Sequence, residues 1–311
     1  MGKVVASEPA SVLIDGPWRH RDVSANGTRL HVAELGQGPL VLLLHGFPQF
    51  WWAWRHQLVT LAAAGYRVVA PDLRGYGGSD KPPRGYDAFT LADDVVGLIR
   101  ALGERDAVLV GQDWGGLASW TAATLWPRQV RRIAVLGMPH PLRVRHQYAV
   151  SPRAQGLAGA HLFTFQLPWR PERQLVAADA ARIGEVLHAW GGSGFPSDEE
   201  ERRYRAAMQI PGVAHSSLEY HRWVFRSLFR PDGARYAQAL RRGVRCPVLH
   251  LHGGVDPFLL PETAQGSGRY VSGPYTWQLL PEAGHFLPEE APALISDLLL
   301  RWLATPPPPD R

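Results

Sequence analysis

The stretch AVLVGQDWG, residues 107–115, joins a run of apolar residues to an acidic residue flanked by glycines, Asp113. The apolar run is typical of a buried strand, and the sequence after Gly115 is typical of a helix. Glycines at the first and last positions of GQDWG leave the backbone room for a tight turn. The stretch therefore predicts a strand, a strained turn and a helix, with the Asp113 side chain projecting from the apex of the turn.

Strand and helix patterns alternate on both sides of this turn, with short connections between them. Such alternation is typical of an α/β fold with a mostly parallel central sheet and helices on both faces. Two alternating runs around Asn26-Gly27 predict an antiparallel hairpin before the parallel strands. The predicted strands are 18–23, 28–34, 39–44, 67–70, 107–110, 133–136, 247–251 and 276–280, and the predicted helices are 51–65, 90–102 with Thr90 as its N-cap, 115–126 and 292–303.

The alternation stops after residue 139 and resumes with the strand pattern at 247–251. The residues between are rich in Trp, Arg and Pro and have helical character. We predict that residues 140–239 form an inserted helical cap on a core domain made of residues 1–139 and 240–311. The prolines near the end predict an extended, disordered tail over residues 305–309.

The composition is that of a globular protein. Of 311 residues, 45% are apolar and 20% are charged, which argues against a disordered or membrane-spanning chain. The formal net charge is +5, and of the 33 basic residues only Lys3 and Lys81 are lysine. The arginines are scattered, whereas a face that binds nucleic acid normally carries a dense basic patch or a recognisable motif. We therefore predict no nucleic-acid partner.

Targeting signals and cysteine usage indicate the compartment. The sequence contains no apolar segment near residue 1 and no apolar run of about 18 residues, the length that a membrane span needs. From this we expect a cytoplasmic protein without a membrane partner. The single cysteine, Cys246, has no intramolecular disulfide partner and is interpreted as a buried thiol. For protein partners, the one alternative that the sequence leaves open is a homodimer of this chain.

An aspartate at the apex of a strand-to-helix turn predicts a nucleophile. A carboxylate that attacks carbon forms an alkyl ester, which is the chemistry for opening epoxides or displacing halide from carbon. Backbone amides must then hold the charge that develops on the acyl oxygen. The turn HGFP at 45–48 follows a predicted strand, and we expect it to aim the amide of Phe47 at Asp113 beside the amide of Trp114. His45 itself is interpreted as a structural residue of the turn.

A base and a group that orients it are predicted in two loops at the same edge of the sheet. His285 lies between the last predicted strand and the last helix, and Asp256 follows the strand at 247–251. Asp113, Asp256 and His285 thus occur in the order nucleophile, acid, histidine, and each follows a strand. We predict that His285 activates water and that Asp256 orients His285.

His250 and His252 lie on one face of the same predicted strand, and with Asp256 nearby their spacing imitates a metal site. Their place on a core strand and the order nucleophile, acid, histidine of the three site residues favour buried packing histidines. No metal site is therefore predicted.

Four segments carry a resemblance to a known family: HGFP at 45–48, WWAWRHQ at 51–57, DLRGYGGSDKP at 72–82 and GQDWG at 111–115. Over nearly its whole length the chain resembles the α/β-hydrolase superfamily, and within it the epoxide hydrolases, which use an aspartate nucleophile. The resemblance implies a covalent ester on Asp113 and a vicinal diol product from a small hydrophobic epoxide. It implies no metal and no organic cofactor.

The resemblance also implies two donors, usually tyrosines, that hydrogen-bond to the epoxide oxygen as the ring opens. This sequence departs from that pattern. It has His161 at the first position, and at the second it has Tyr220 followed by His221, where the family places Tyr directly before Arg. His161, Tyr220 and His221 are all candidates, with Tyr220 and His221 as alternatives. Two histidine donors would make ring opening depend on pH near neutrality.

Two other functions stay open. In a haloalkane dehalogenase, Asp113 would displace a halide and two N–H donors would bind the leaving anion. Trp114 offers one donor. In dehalogenases the second is often Asn at the position of Phe47 or a Trp of the cap, and because Phe47 offers no side-chain donor, an epoxide is favoured. A non-catalytic binding protein with a hydrolase fold is the other alternative. The intact set Asp113, Asp256 and His285 argues against it.

Overall fold

The computed structural model describes residues 7–151 and 154–306. Its strands are β1 (Arg19–Ala25), β2 (Thr28–Leu35), β3 (Leu40–Leu44), β4 (Arg67–Pro71), β5 (Ala107–Gln112), β6 (Val130–Leu136), β7 (Val248–Gly253) and β8 (Tyr275–Leu280). They form one sheet in the order β1-β2-β4-β3-β5-β6-β7-β8. β1 and β2 pair antiparallel, as do β2 and β4, and the strands from β4 to β8 along the sheet are parallel. The predicted α/β class with a mostly parallel sheet is confirmed.

The described α-helices fall into two groups along the chain. Those that alternate with strands or close the fold are α1 (Arg55–Ala63), α2 (Ala88–Ala101), α3 (Trp114–Leu125), α11 (Pro261–Gln265), α12 (Leu287–Glu290) and α13 (Pro292–Ala304). Those between β6 and β7 are α4 (Pro141–Val150), α5 (Ala154–Ala158), α6 (His161–Thr164), α7 (Arg170–Trp190), α8 (Asp198–Met208), α9 (Val213–Ser227) and α10 (Pro231–Leu240). We call α4–α10 the insertion.

The strands that carry the site lie at the centre of the sheet. Every residue of β3 and of β5 is buried, as expected for strands covered by helices on both faces. The two strands pair in parallel, with Leu44 opposite Gly111 at their carboxyl ends. Because the ends of β3 and β5 lie side by side, the loops that follow them meet at the same edge of the sheet, where α/β folds place their ligands.

Local signals explain the edge hairpin and one corrected helix start. Asn26 and Gly27 connect β1 and β2 with φ of 47° and 71°, the left-handed conformation that a tight hairpin turn requires.

The prediction that Thr90 is the N-cap of α2 is wrong. The N-cap is Asp87, whose carboxylate accepts a hydrogen bond from the Thr90 amide at 3.0 Å. Both residues are good caps, and the earlier one begins the helix.

Two further boundaries differ from the sequence patterns. The segment predicted as one helix over 51–65 begins with a 3-10 turn at Trp51–Trp54, and α1 follows it. β6 begins at Val130, before the predicted 133. Within α7 the backbone departs from helical geometry from Ala177 to Ala180. These differences leave the order of the elements unchanged.

The insertion runs from Pro141 to Leu240, close to the predicted cap at 140–239. The division of the chain into a core and a cap domain stays a prediction. Residues 307–309 of the predicted extended tail lie outside the described residues. Across residues 7–151 and 154–306, no helix has both the length and the apolar character needed to cross a membrane.

Candidate active site

The turn between β5 and α3 holds Asp113 in a strained conformation, with φ of 48° and ψ of −114°. A β-carbon on Gly111 would lie 2.2 Å from the carbonyl oxygen of Gly115, and one on Gly115 would lie 2.0 Å from the carbonyl oxygen of Leu44. No side chain fits at either position without moving the backbone. The two glycines therefore permit the turn, and the strain at Asp113 is of the kind found at functional sites.

Backbone amides surround the Asp113 carboxylate. The amide of Phe47 donates a hydrogen bond to Oδ2 of Asp113 at 2.9 Å, and the amide of Trp114, the next residue in the chain, lowers the pKa of this carboxyl group. A β-carbon on Gly46 would lie 2.5 Å from the β-carbon of Asp113, so the loop after β3 approaches the turn as closely as a glycine allows. The structure thus brings Phe47 and Trp114 together at the predicted nucleophile.

His45 holds this loop in place. Its Nε2 accepts a hydrogen bond from the amide of Leu73 at 2.9 Å, which leaves Nδ1 as the donor to the carbonyl oxygen of Gly46 at 2.9 Å. Burial lowers the pKa of His45 to about 4, so the ring is neutral at neutral pH. With both nitrogens bonded to the backbone, His45 has the geometry of a structural turn residue.

His285 and Asp256 meet at the carboxyl edge of the sheet. Nδ1 of His285 lies 2.8 Å from Oδ2 of Asp256, and Oδ1 of Asp256 accepts hydrogen bonds from the amides of Phe258 and Leu259 at 2.8 and 3.0 Å. On the other side of the ring, Nε2 of His285 lies 3.9 Å from Oδ1 of Asp113. The three predicted residues are therefore contiguous, with the imidazole between the two carboxylates.

The charges of these groups depend on one another. Burial raises the pKa of Asp113, although the charge of His285 and the amides of Phe47 and Trp114 oppose this. Burial raises and His285 lowers the pKa of Asp256, and the net shift is downward. Burial alone would lower the pKa of His285, but the charges of Asp256 and Asp113 raise it to about 9. At neutral pH the imidazole is protonated between two carboxylates.

Tyr220 and His221 are oriented by backbone carbonyls. The buried Tyr220 hydroxyl donates to the carbonyl oxygen of Arg74 at 2.6 Å. Nδ1 of His221 lies 3.0 Å from the carbonyl oxygen of Ser217 and therefore carries the ring hydrogen of the neutral form. Burial lowers the pKa of His221 to about 3. At neutral pH its Nε2 is consequently an acceptor, and the hydroxyl hydrogen of Tyr220 is already engaged.

His161 and His285 share two aromatic neighbours. Its ring centroid is 5.1 Å from that of Trp190 and 4.7 Å from that of Phe258. Both of these aromatic rings also lie 5.6 Å from the ring of His285. Nε2 of His161 is buried and has no hydrogen-bond partner among the described residues. Burial lowers the pKa of His161 to about 4.

An apolar cavity of about 130 Å³ adjoins Asp113 and Trp114. It extends from α3 between α4, α6, α9 and α10, and its walls include Leu117, Met138, Leu162, Trp223 and Tyr236. A cavity of this character accommodates an apolar substituent of a ligand whose reactive group lies at Asp113.

The sequence patterns missed two residues that hold the His285 loop. The side-chain amide of Gln112 donates to the carbonyl oxygen of His285 at 2.5 Å, and the Glu290 carboxylate accepts hydrogen bonds from the amides on both sides of His285. Gln112 stands directly before Asp113, so its position in the sequence could have identified it as a residue of the site. Glu290 lies five residues after His285, and no pattern distinguishes it from its neighbour Glu289.

His250 and His252 are buried on β7 and engaged with protein groups. Nδ1 of His250 lies 2.9 Å from the hydroxyl of Tyr275, and Nε2 of His252 lies 2.6 Å from the carbonyl oxygen of Leu259. Throughout the part of the chain that the structure describes, no group of three or more His, Cys, Asp or Glu residues is arranged to hold a metal ion. The two histidines have the surroundings of core residues.

Comparison with known proteins agrees with the α/β fold. Residues 39–292 match the family model described as the alpha/beta hydrolase fold. The AB hydrolase superfamily protein YfhM of Bacillus subtilis is 33% identical over 294 residues, which cover 90% of this chain and 96% of that protein. Human epoxide hydrolase 4 is 32% identical over 291 residues, which cover 90% of this chain and 77% of that protein.

A solved structure extends the comparison. A point mutant of an epoxide hydrolase from Bacillus megaterium, complexed with its product (R)-3-[1]naphthyloxy-propane-1,2-diol, superimposes with a TM-score of 0.81 at 26% identity. The match covers 92% of this chain and 100% of that one. The chain therefore belongs to the α/β-hydrolase superfamily and, within it, to the epoxide hydrolase family.

Proposed function

We propose that this protein is an epoxide hydrolase that opens an epoxide to a vicinal diol through a covalent ester on Asp113. The observation that carries the proposal is the orientation of the Asp113 carboxylate. Oδ2 is held by the Phe47 amide, while Oδ1 faces His285 across 3.9 Å. One oxygen is thus placed where oxyanion charge develops, and the other is available for attack. Relatives that bear the name epoxide hydrolase support the same reaction.

Ring opening is the first step of the proposed mechanism. Oδ1 of Asp113 attacks one epoxide carbon, and the bond between that carbon and the ring oxygen breaks. An N–H group of neutral His161 stabilises the departing oxygen, which takes its proton from the His285 imidazolium. The step converts Asp113 to a neutral ester and His285 to a neutral base. Of the three candidate donors, His161 is favoured because Tyr220 and His221 donate to backbone carbonyls.

Ester hydrolysis is the second step. Neutral His285, oriented by Asp256, removes a proton from water, and the hydroxide formed attacks the ester carbonyl. The amides of Phe47 and Trp114 hold the oxyanion. Collapse releases the diol and restores the Asp113 carboxylate and the His285 imidazolium. The cycle consumes one epoxide and one water and leaves the protein unchanged.

Product analysis tests this function against its rivals. We expect styrene oxide and naphthyl glycidyl ether to give diol, and 1-chlorobutane and 1-bromobutane to release no halide, with the two products measured separately. Two observations favour a dehalogenase. Among the described residues, the indole Nε1 atoms of Trp114 and Trp223 are buried without a hydrogen-bond partner, and both residues line the cavity beside Asp113. Halide release without diol would support that rival. No turnover of any of the four compounds would support a non-catalytic binding protein.

The pH dependence of ring opening tests the donor assignment. The pKa values of about 4 for His161 and about 3 for His221 leave both rings neutral above pH 5.5. The pKa of His285, at about 9, keeps that ring protonated up to pH 8. We therefore expect the rate of ester formation in single turnovers to change less than about threefold from pH 5.5 to 8. A tenfold change with a midpoint near 6.5 would contradict the neutral donors.

A further inference from the structure

The short helix α12 carries a carboxylate that reaches the backbone on both sides of His285. Oε2 of Glu290 accepts hydrogen bonds from the amides of Gly284 at 2.6 Å and Gly192 at 3.0 Å. Oε1 accepts one from the amide of Phe286 at 2.7 Å. Gly284 and Phe286 flank His285 in the sequence, whereas Gly192 belongs to the turn that follows α7. One side chain thus binds the histidine loop and the insertion together.

The histidine loop and that turn are also in direct backbone contact. The amide of His285 donates to the carbonyl oxygen of Trp190 at 2.9 Å. A β-carbon on Gly284 would lie 2.5 Å from the amide nitrogen of Gly192, and one on Gly192 would lie 2.6 Å from Oε2 of Glu290. Only glycines allow this approach, so the position of the His285 backbone is defined by the contact with the insertion.

The last residue of α7, which leads into that turn, lies beside His161, the favoured hydrogen-bond donor to the epoxide oxygen. The Trp190 ring lies 5.6 Å from the ring of His285 and 5.1 Å from the ring of His161. Any shift of the turn therefore moves the base relative to the group that stabilises the epoxide oxygen. The hydrogen bonds of the Glu290 side chain join the loop and the turn, beside the backbone bond between His285 and Trp190.

The charge of Glu290 acts on the same imidazole. Burial raises the pKa of Glu290, and the amides of Gly284, Phe286 and Gly192 oppose that shift. In its ionised form the carboxylate adds to the negative charges that stabilise the His285 imidazolium. The other titratable groups that act on His285 are Asp256 and Asp113, which raise its pKa, and His161 and His252, which couple to it as neighbouring imidazoles.

We propose that Glu290 is a positioning residue for ester hydrolysis: it fixes the His285 loop against the insertion so that Nε2 of His285 faces the Asp113 ester. The inference rests on the proposed function, because it concerns the second step of that reaction. Attack on the epoxide requires less precision from His285, because solvent can also supply the proton that the ring oxygen takes, whereas hydrolysis requires His285 as the base. The loss of Glu290 therefore acts unequally on the two steps.

The replacement Glu290→Gln tests whether ester hydrolysis slows more than ester formation. Glutamine is nearly isosteric, but it lacks the charge and turns an NH₂ group toward at least one backbone amide, which also donates. We expect the hydrolysis rate in single turnovers to fall about 10- to 100-fold, as for a catalytic group displaced by a fraction of an ångström to an ångström. We expect ester formation to change less than about threefold. The apparent pKa of the hydrolysis step is expected to fall.

Two further variants separate position from charge. Glu290→Asp keeps the charge but shortens the side chain, so its hydrolysis rate falls while the pKa of that step stays close to the wild-type value. Asp297→Asn removes an exposed carboxylate of α13 that pairs with Arg301, and it should leave both rates unchanged.

The proposal is overturned if Glu290→Gln slows both steps by one common factor, or if hydrolysis keeps its wild-type rate. The supporting result is a change in the ratio of the two rates, which a partly unfolded preparation does not produce, and thermal unfolding of the same preparation shows whether a common loss comes from unfolded protein. If the glutamine variant does not fold, the rate and pKa of Glu290→Asp decide. Failure of the wild-type protein to form any ester would instead reject the proposed function itself.

Discussion

Replacing Asp113 with asparagine is expected to lower kcat/KM for an epoxide by at least about four orders of magnitude, as the loss of a nucleophile does in other covalent enzymes. The amide nitrogen and oxygen of asparagine are poor nucleophiles toward an epoxide carbon. The fold should survive, because asparagine is nearly isosteric and tolerates the positive φ of 48° at this position. Diol formation and thermal unfolding, measured on the same preparation, check both statements.

Isotope labelling tests the ester that this loss implies. In a single turnover in H₂¹⁸O, the new oxygen of the first diol comes from the Asp113 carboxylate, and the water oxygen enters Asp113. Mass spectrometry of the peptide that contains residue 113 should therefore show the label, while the first diol shows none. Label in that first diol would mean that water attacks the epoxide directly, and the covalent mechanism would be rejected.

The parts of the site that follow strands were predictable from the sequence. Asp113, Asp256 and His285 each lie just beyond a buried strand, and a parallel sheet brings such positions to one edge. The Phe47 amide follows the same rule, since β3 lies beside β5. Strand patterns are local, and they were enough to predict that Asp113, Asp256, His285 and the Phe47 amide meet, the groups to which we assign the proposed roles.

The hydrogen-bond donors to the epoxide oxygen could not be predicted in the same way, because their roles depend on burial and on hydrogen bonds to backbone carbonyls of the folded chain. The Tyr220 hydroxyl donates a hydrogen bond to the carbonyl oxygen of Arg74, which lies far earlier in the chain. The tautomer of His221 depends on the Ser217 carbonyl oxygen. When only the sequence is known, the pKa of a histidine must be taken as near 6.5, because the burial of the side chain is unknown. Burial shifts His161 and His221 well below neutrality and removes the expected pH dependence.

The proposed role of Glu290 in positioning the His285 loop could not be predicted from the sequence either. Its three donors come from the His285 loop and from the turn after α7, which only the folded chain brings together. The corrected N-cap of α2 has a more local cause. Asp87 and Thr90 are both typical caps, and hydrophobic periodicity does not define a helix start to within three residues.

Replacing His285 with glutamine is expected to trap the ester on Asp113. Glutamine cannot accept the proton from water, so hydrolysis should fall by about 10²- to 10⁴-fold, the usual contribution of a general base. Ester formation should slow by no more than about tenfold, because Asp113 attacks without a base and solvent can supply the proton to the epoxide oxygen. The two rates then differ so widely that the ester accumulates. Intact-protein mass spectrometry should show one added substrate mass per chain.

The wild-type protein provides the matched pH experiment. The charge of Asp113 contributes to the raised pKa of His285, about 9 in the free protein, and that charge is lost when Asp113 becomes an ester. The pKa of His285 in the ester should consequently lie below 9, and ester hydrolysis should rise with pH through that value to a plateau as the ring becomes neutral. In His285→Gln this rise should disappear. A variant that hydrolyses the ester at the wild-type rate, or that keeps the same pH dependence, would show that another group is the base.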